Sequence, residues 1–158
     1  MPNRSTDQAN ANVIARLKLI NGSTGGYWTN LENRVFNRLW LPEDRKSPLP
    51  YACVVMADDD LAYEFNQGDL VYATWTLKVF AFAPETTTKR TDGDGPRNIA
   101  RLHDDVLKAL LSDWTFDGAV DDSTIVGGTR SGGVLARYGE MSLDLRLKAY
   151  LSVQGLGP

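Results

Sequence analysis

Met141-Ser142-Leu143-Asp144-Leu145-Arg146-Leu147-Lys148-Ala149-Tyr150-Leu151-Ser152-Val153 is the stretch whose reading decides the fold. Every odd-numbered position is apolar, and Ser142, Asp144, Arg146, Lys148 and Ser152 fill even ones. Side chains on a strand alternate faces, so period two predicts a long strand over 141–153 with one buried face and one wetter face. A helix of the same residues would scatter the leucines around its whole circumference. Leu70–Phe82 has the same length and habit. Its odd positions are Val71, Ala73, Trp75, Leu77, Val79 and Ala81, and its even positions are Tyr72, Thr74, Thr76, Lys78, Phe80 and Phe82. β-Branched and aromatic residues dominate, as a pleated surface prefers. If the two strands pair, Asp144, Arg146, Lys148 and Tyr150 share a face with Tyr72, Thr74, Thr76 and Lys78.

Around these rails the chain supplies helices and shorter strands. Ser5-Thr6-Asp7-Gln8 is helix-capping material, Val13, Leu17 and Ile20 follow at helical spacing, and Asn21-Gly22 can end the helix, so a helix is expected over 7–20. Ile99, Leu102, Val106, Ala109 and Leu110 form a stripe at spacings of three and four behind Pro96, predicting a helix over 96–112. Short strands are expected at 33–39, at the apolar run Tyr51–Met56, at Ser123–Val126 and at Val134–Tyr138. Pro42, Pro48 and Pro50 mark an exposed connection between the first two of these. The polar stretch 84–95 and the glycine-rich 127–133 read as flexible loops, and the tail after Val153 as unstructured. The order of elements is that of a single α+β domain over 1–158: an antiparallel or mixed β-sheet with two main helices packed on one face.

The totals set the outer bounds. A chain of 158 residues with 42 % hydrophobic residues fits one domain with a real core. A formal charge of −3, with acids and bases mixed, lacks the basic stripe of a dedicated nucleic-acid binder. The single cysteine, Cys53, permits no intrachain disulfide, which suits a reducing compartment. The amino terminus shows no apolar signal segment, and no run approaches the ~18 apolar residues of a membrane helix. The expectation is a soluble chain made in cytoplasm, with no membrane partner.

Each residue type that could carry chemistry has a plainer reading that outweighs it. His103 is the only histidine and lacks the company of a triad or metal cluster. Cys53 lies between Ala52 and Val54 in a core strand and reads as a small hydrophobe. Asp58-Asp59-Asp60 and Asp92-Gly93-Asp94-Gly95 lack the ordered ligands of a calcium loop and read as solvated turns. The glycines of 127–133 lack the ending of a phosphate loop. Trp114 at the end of the second helix reads as core, while Tyr27-Trp28 could either bind something aromatic-friendly or cap the core. Lys89-Arg90 is the best isolated basic spot and could touch a partner's carboxylates or passing DNA. No catalytic, cofactor or metal site is expected, which favours a binding or structural protein over an enzyme.

The whole order resembles phage tail terminator (tail completion) proteins of long-tailed phages. The resemblance runs through the first helix, Thr24-Gly25-Gly26-Tyr27-Trp28-Thr29-Asn30, the strand with Arg34-Val35-Phe36, and Leu49-Pro50 entering an apolar strand. It continues through a long β-hairpin region, a helix with Leu107-Ala109-Leu110 and a closing strand near Tyr150. It is one of order and spacing, not of a sharp motif, and neither the amino terminus nor 127–133 matches the family.

The resemblance implies a structural, non-enzymatic virion subunit that forms a ring, usually a hexamer, at the head-proximal end of the tail tube. Such a ring ends tube polymerisation and offers the head a joining surface, and genomic DNA passes its lumen without specific binding. The implied partners are other copies of the chain, the tail tube protein and a head-completion or neck protein. The implied place is the tail–neck region of the virion, after synthesis in the host bacterial cytoplasm. Lys89, Arg90, Arg130, Asp144, Arg146 and Lys148 are the candidate assembly or lumen contacts. The alternatives are another neck, connector or minor tail protein, a small enzyme whose site is assembled from several chains and uses Arg130, His103 and the aspartates, or a monomeric ligand-binding domain.

Overall fold

The computed structural model of the chain describes residues 4–44, 47–57, 61–84, 94–131 and 138–152; of 65–67 and 94–96 it describes the backbone alone. In chain order the elements are helix α1 (Thr6–Leu17), a 3-10 turn (Gly22–Gly25), β1 (Val35–Phe36), β2 (Tyr51–Met56), β3 (Ala62–Gln67), β4 (Leu70–Pro84), α2 (Asp94–Leu111), β5 (Asp122–Ser131) and β6 (Tyr138–Ser152). The six strands form one mixed sheet in the order β1-β2-β4-β6-β5, with β3 beside the first half of β4. Only β1–β2 is parallel; the other pairs are antiparallel. The α+β class and the placing of both helices against the sheet follow the expectation.

β4 and β6 are the rails. They pair over their full length, from Leu70↔Ser152 to Pro84↔Tyr138, with Leu77 facing Leu145 near the middle. Their odd residues lie under the helices: Ala73, Trp75, Leu77, Val79, Met141, Leu143, Leu145 and Leu147 share one buried core with Val13 and Leu17 of α1 and Leu102, Val106 and Ala109 of α2. A fully buried aliphatic side chain of this kind stabilises the fold by roughly 1.5–3 kcal/mol. The long strand begins three residues before the expected 141 and reaches Ser152; Val153 lies outside the described residues.

Several boundaries move. α1 stops at Leu17, not 20, because the chain leaves the helix through a turn at Lys18-Leu19, yet Ile20 stays fully buried. The strand expected over 33–39 shrinks to Val35–Phe36, because Glu32 and Asn33 take positive φ (47° and 60°) and bend the chain just before it. α2 runs 94–111 in place of 96–112. β3, which the periodicity does not announce, forms a hairpin with β4 through Gly68-Asp69 and is interrupted by a bulge between Tyr63 and Phe65.

The largest correction concerns 127–133. Residues 127–131 are not a loop but the second half of β5, the sheet's edge strand beside β6. Gly128 serves close approach, not freedom: a Cβ there would lie 2.6 Å from the Ser142 carbonyl oxygen. A bulge between Ile125 and Gly127 precedes it. Residues 132–133, most of the stretch expected as a strand over 134–138, residues 85–93 of the other expected loop and the residues after Ser152 lie outside the described residues. Pro84 and Asp94, at the ends of the second expected loop, close β4 and open α2.

Candidate functional site

The face of the sheet turned away from the helices has two parts. At one end Tyr51, Cys53 and Phe82 form a small second core with Phe36, Trp40, Leu49, Phe80 and Tyr138 packed against it. Trp40 and Leu49, from the described parts of the connection between β1 and β2, fold over it. The Tyr51 hydroxyl donates to the Trp40 carbonyl (2.8 Å) and the Tyr138 hydroxyl donates to Glu43 (2.6 Å). That bond, with burial adding to it, pushes the Tyr138 phenol up to about 12, and it holds the Glu43 carboxyl below its usual range. Cys53 is fully buried here, as expected of a packing residue.

The rest of this face is an open polar strip. Cross-strand register sets Lys78 beside Asp144, Thr76 beside Arg146, Thr74 beside Lys148 and Tyr72 beside Tyr150. β5 extends two of these rows, with Thr124 opposite Arg146 and Asp122 opposite Lys148. Lys78 and Asp144 approach to 3.6 Å, and the two tyrosine rings pack against each other at a tilt of 48° with centroids 4.7 Å apart. Burial, then the nearby Glu64, Tyr150, Asp121 and Asp122, raise the Tyr72 phenol above its ordinary range. Thr76 is 4 % exposed, so the strip is a close-set floor with the charged tips standing above it. The Thr74 hydroxyl, buried in that floor, has no hydrogen-bond partner among the described residues. No ion pair among the described residues engages Arg146 or Lys148. Two unpaired cations, one loose ion pair and neighbouring carboxylates give a near-neutral strip that can meet a charged surface without holding it tightly.

Of the candidate contacts, Asp144, Arg146 and Lys148 therefore lie together on one face. Arg130 does not join them: it is in register with Met141, so it points to the other side of the sheet, while its neighbour Thr129 bonds Ser142 on the open side (2.9 Å). Lys89 and Arg90 lie outside the described residues, as do Asp58-Asp59-Asp60. His103 sits half-buried on α2, 3.4 Å from Asp104, and no group of three metal-ligating side chains occurs among the described residues.

On the helix side, Asp105 is a feature that the sequence stripe hides. Its carboxylate is 2 % exposed and accepts from the backbone N–H groups of Trp28 (3.1 Å) and Thr29 (2.7 Å) and from the Thr29 hydroxyl (2.6 Å). It pins the loop Gly22–Asn30 to α2, helped by Lys108, which donates to the Gly26 carbonyl (2.6 Å). Tyr27 packs on the core, whereas Trp28 stands exposed under the Arg101 guanidinium, 4.6 Å from the ring centroid. Trp114, expected in the core, is 54 % exposed; the turn after α2 buries Phe116 in its place. Neither a protein-family model nor a curated protein matches this chain.

Proposed function

We propose that this chain is a structural virion subunit that assembles into a ring, a hexamer by family resemblance, at the head-proximal end of a phage tail tube, where it ends tube growth and provides the head-joining surface. One observation carries the reading: the two longest strands of the sheet are covered by helices on one face and present a flat, near-neutral polar strip on the other. A two-layer α+β unit with part of one sheet face left open is suited to be a wall. Turned toward a lumen, Arg146 and Lys148, standing above the buried threonine floor, give passing DNA a low density of positive charge. Phosphate contacts of that kind carry no sequence information and break readily with salt. Turned outward, the helices would face the virion exterior.

Its partners in this reading are other copies of the chain, the tail tube protein and a head-completion or neck protein, with genomic DNA passing through unheld. Its place is the tail–neck region of the virion. The test is co-expression with a candidate tail tube protein from the same genome. Tubes capped at one end by this chain and limited in length support the reading, and tubes that grow without limit while the chain stays unattached overturn it.

A further inference from the structure

The loop between Ile20 and Leu31 is held at every level. The Leu31 N–H donates to the Ile20 carbonyl (2.9 Å), Asn21 and Asn30 bridge above that bond, and the Gly22 N–H donates to the Thr29 carbonyl (2.7 Å). Ile20 and Leu31 are fully buried, and Tyr27 packs on the core. Those contacts are enough to close the helix layer. Asp105 adds something else. Its buried carboxylate fixes the backbone N–H of Trp28, whose ring is 69 % exposed and outside the core. A buried carboxylate is costly unless it is fully hydrogen-bonded. Here its bonds hold an indole out in solvent, and a rigidly displayed apolar ring is the usual form of a contact residue.

α2 sets the charge around that ring. Arg101, one turn before Asp105, lies over Trp28 with its guanidinium 4.6 Å from the ring centroid, and Lys108, one turn after, lies over Tyr27 at 5.0 Å. Lys108 is engaged with the Gly26 carbonyl. Arg101 is not: among the described residues its side chain has no ion pair and no hydrogen bond. Exposed Arg97 stands one turn further along the same helix. A guanidinium whose face rests on an indole offers its N–H edge, which matches a carboxylate with two parallel bonds. The indole beside it offers apolar surface. The charge complement is therefore a carboxylate next to an apolar side chain. A nucleic-acid backbone fits less well, because exposed Asp104 interrupts the cations between Arg101 and Lys108 and leaves no basic stripe.

We infer that the Trp28–Arg101 pair is a docking point for an acidic segment of another protein, with an Asp or Glu carboxylate on the Arg101 edge and a neighbouring apolar side chain on the Trp28 ring. Asp105 is its positioning residue: with the loop already ordered, binding does not have to order it. The docking point belongs to the helix layer, so it leaves the polar strip on the other face of the sheet free. It does not depend on a ring or on a location in a phage tail.

A random peptide library on beads tests it, sorted against the labelled chain and, in parallel, against Trp28→Ala and Arg101→Gln. Trp28→Ala should melt as the parent does, since the ring is largely in solvent. The parent should select peptides enriched in Asp or Glu beside an apolar residue. A selected peptide, resynthesised, should bind at least about tenfold more weakly to Trp28→Ala, as for an interface anchor. Arg101→Gln, and replacement of the peptide's own acid by its amide, should each weaken binding by a similar factor, and added salt should weaken the parent's binding. Peptides without acidic enrichment, equal binding by the parent and both variants, or no selection at all overturn the docking point. A labelled single-stranded oligonucleotide that binds more tightly than the best peptide and is lost with Arg101→Gln also overturns it, as does self-association that disappears with Trp28→Ala. A chain that selects acidic peptides through Trp28 yet leaves tail tubes uncapped supports the docking point and overturns the proposed function alone.

Discussion

Replacing Leu145 probes the division of the sheet into two faces at its centre. Leu145 is 1 % exposed, between Leu77 and Ile125 in the row that crosses the sheet. Leu145→Ala removes a buried side chain and leaves a cavity, which costs about 3–5 kcal/mol. Leu145→Asp loses burial worth about 2–3 kcal/mol and introduces a carboxyl among aliphatic groups that offer it no partner. If burial raises the new carboxyl by ~3 pH units, holding it in the fold at neutral pH adds about 4 kcal/mol. The sum, roughly 6–7 kcal/mol, is comparable with the whole stability of a domain, about 5–15 kcal/mol. Urea unfolding followed by circular dichroism should show Leu145→Ala with a lowered midpoint and Leu145→Asp largely unfolded at pH 7. The pH sign is fixed as well. The new carboxyl has a folded-state pKa above its unfolded value, so its penalty is absent below the unfolded value of about 4 and grows as pH rises toward the folded one. The gap between Leu145→Asp and Leu145→Ala should therefore narrow in acid. A Leu145→Asp chain within ~1 kcal/mol of the parent, or a gap that ignores pH, would refute the burial of this face.

Arg146→Glu, one residue away on the open strip, should change stability by less than ~0.5 kcal/mol while impairing ring assembly or DNA passage; an Arg146→Glu chain that assembles and supports infection normally removes the role assigned to the strip. Asp105→Ala strips three hydrogen bonds from the loop Gly22–Asn30 and leaves two backbone N–H groups without their acceptor, at a cost of about 2–4 kcal/mol; hydrogen exchange at Trp28 and Thr29 should accelerate far more than at β4. Tyr138 holds its proton up to about 12, so its contribution is fully present below the ordinary tyrosine value of about 10 and is lost as pH rises through the folded value. The stability difference between parent and Tyr138→Phe should accordingly shrink in an alkaline series, and a constant difference counts against the Glu43 bond as its source. Asp113 has its carboxyl held low, first by the Asp117 backbone N–H and then by the Thr115 hydroxyl. Its share is present above the unfolded value of about 4 and falls away in acid, so Asp113→Asn should flatten the acid limb of the unfolding profile.

What the sequence reveals follows from how strongly each element separates its two faces. β4 and β6 are legible because one face carries Trp75, Leu77 and Leu145 and the other carries threonines and charges; burial on one side only leaves a period-two record. α2 is legible for the same reason at helical period, but Asp105 is lost within its stripe, because the partners that justify a buried carboxylate lie 76 and 77 positions away. β3 leaves little record, since its described side chains are exposed and its bulge breaks the alternation. β5 misleads, because Gly127 and Gly128 look like loop residues when the closeness of Ser142 and Leu143 to Gly128 is not visible. For the site, the grouping of Asp144, Arg146 and Lys148 follows from parity alone. The departure of Arg130 requires knowing where the bulge falls, and the exposure of Trp114 depends on which aromatic of the turn enters the core.

The most direct test of the ring is native mass spectrometry of the purified chain together with negative-stain images of the same sample. The expectation is a single closed oligomer, a hexamer by resemblance, seen end-on as a ring with an open centre. A monomer at all concentrations, or a two-fold dimer that buries the Tyr72–Lys148 strip, would contradict it.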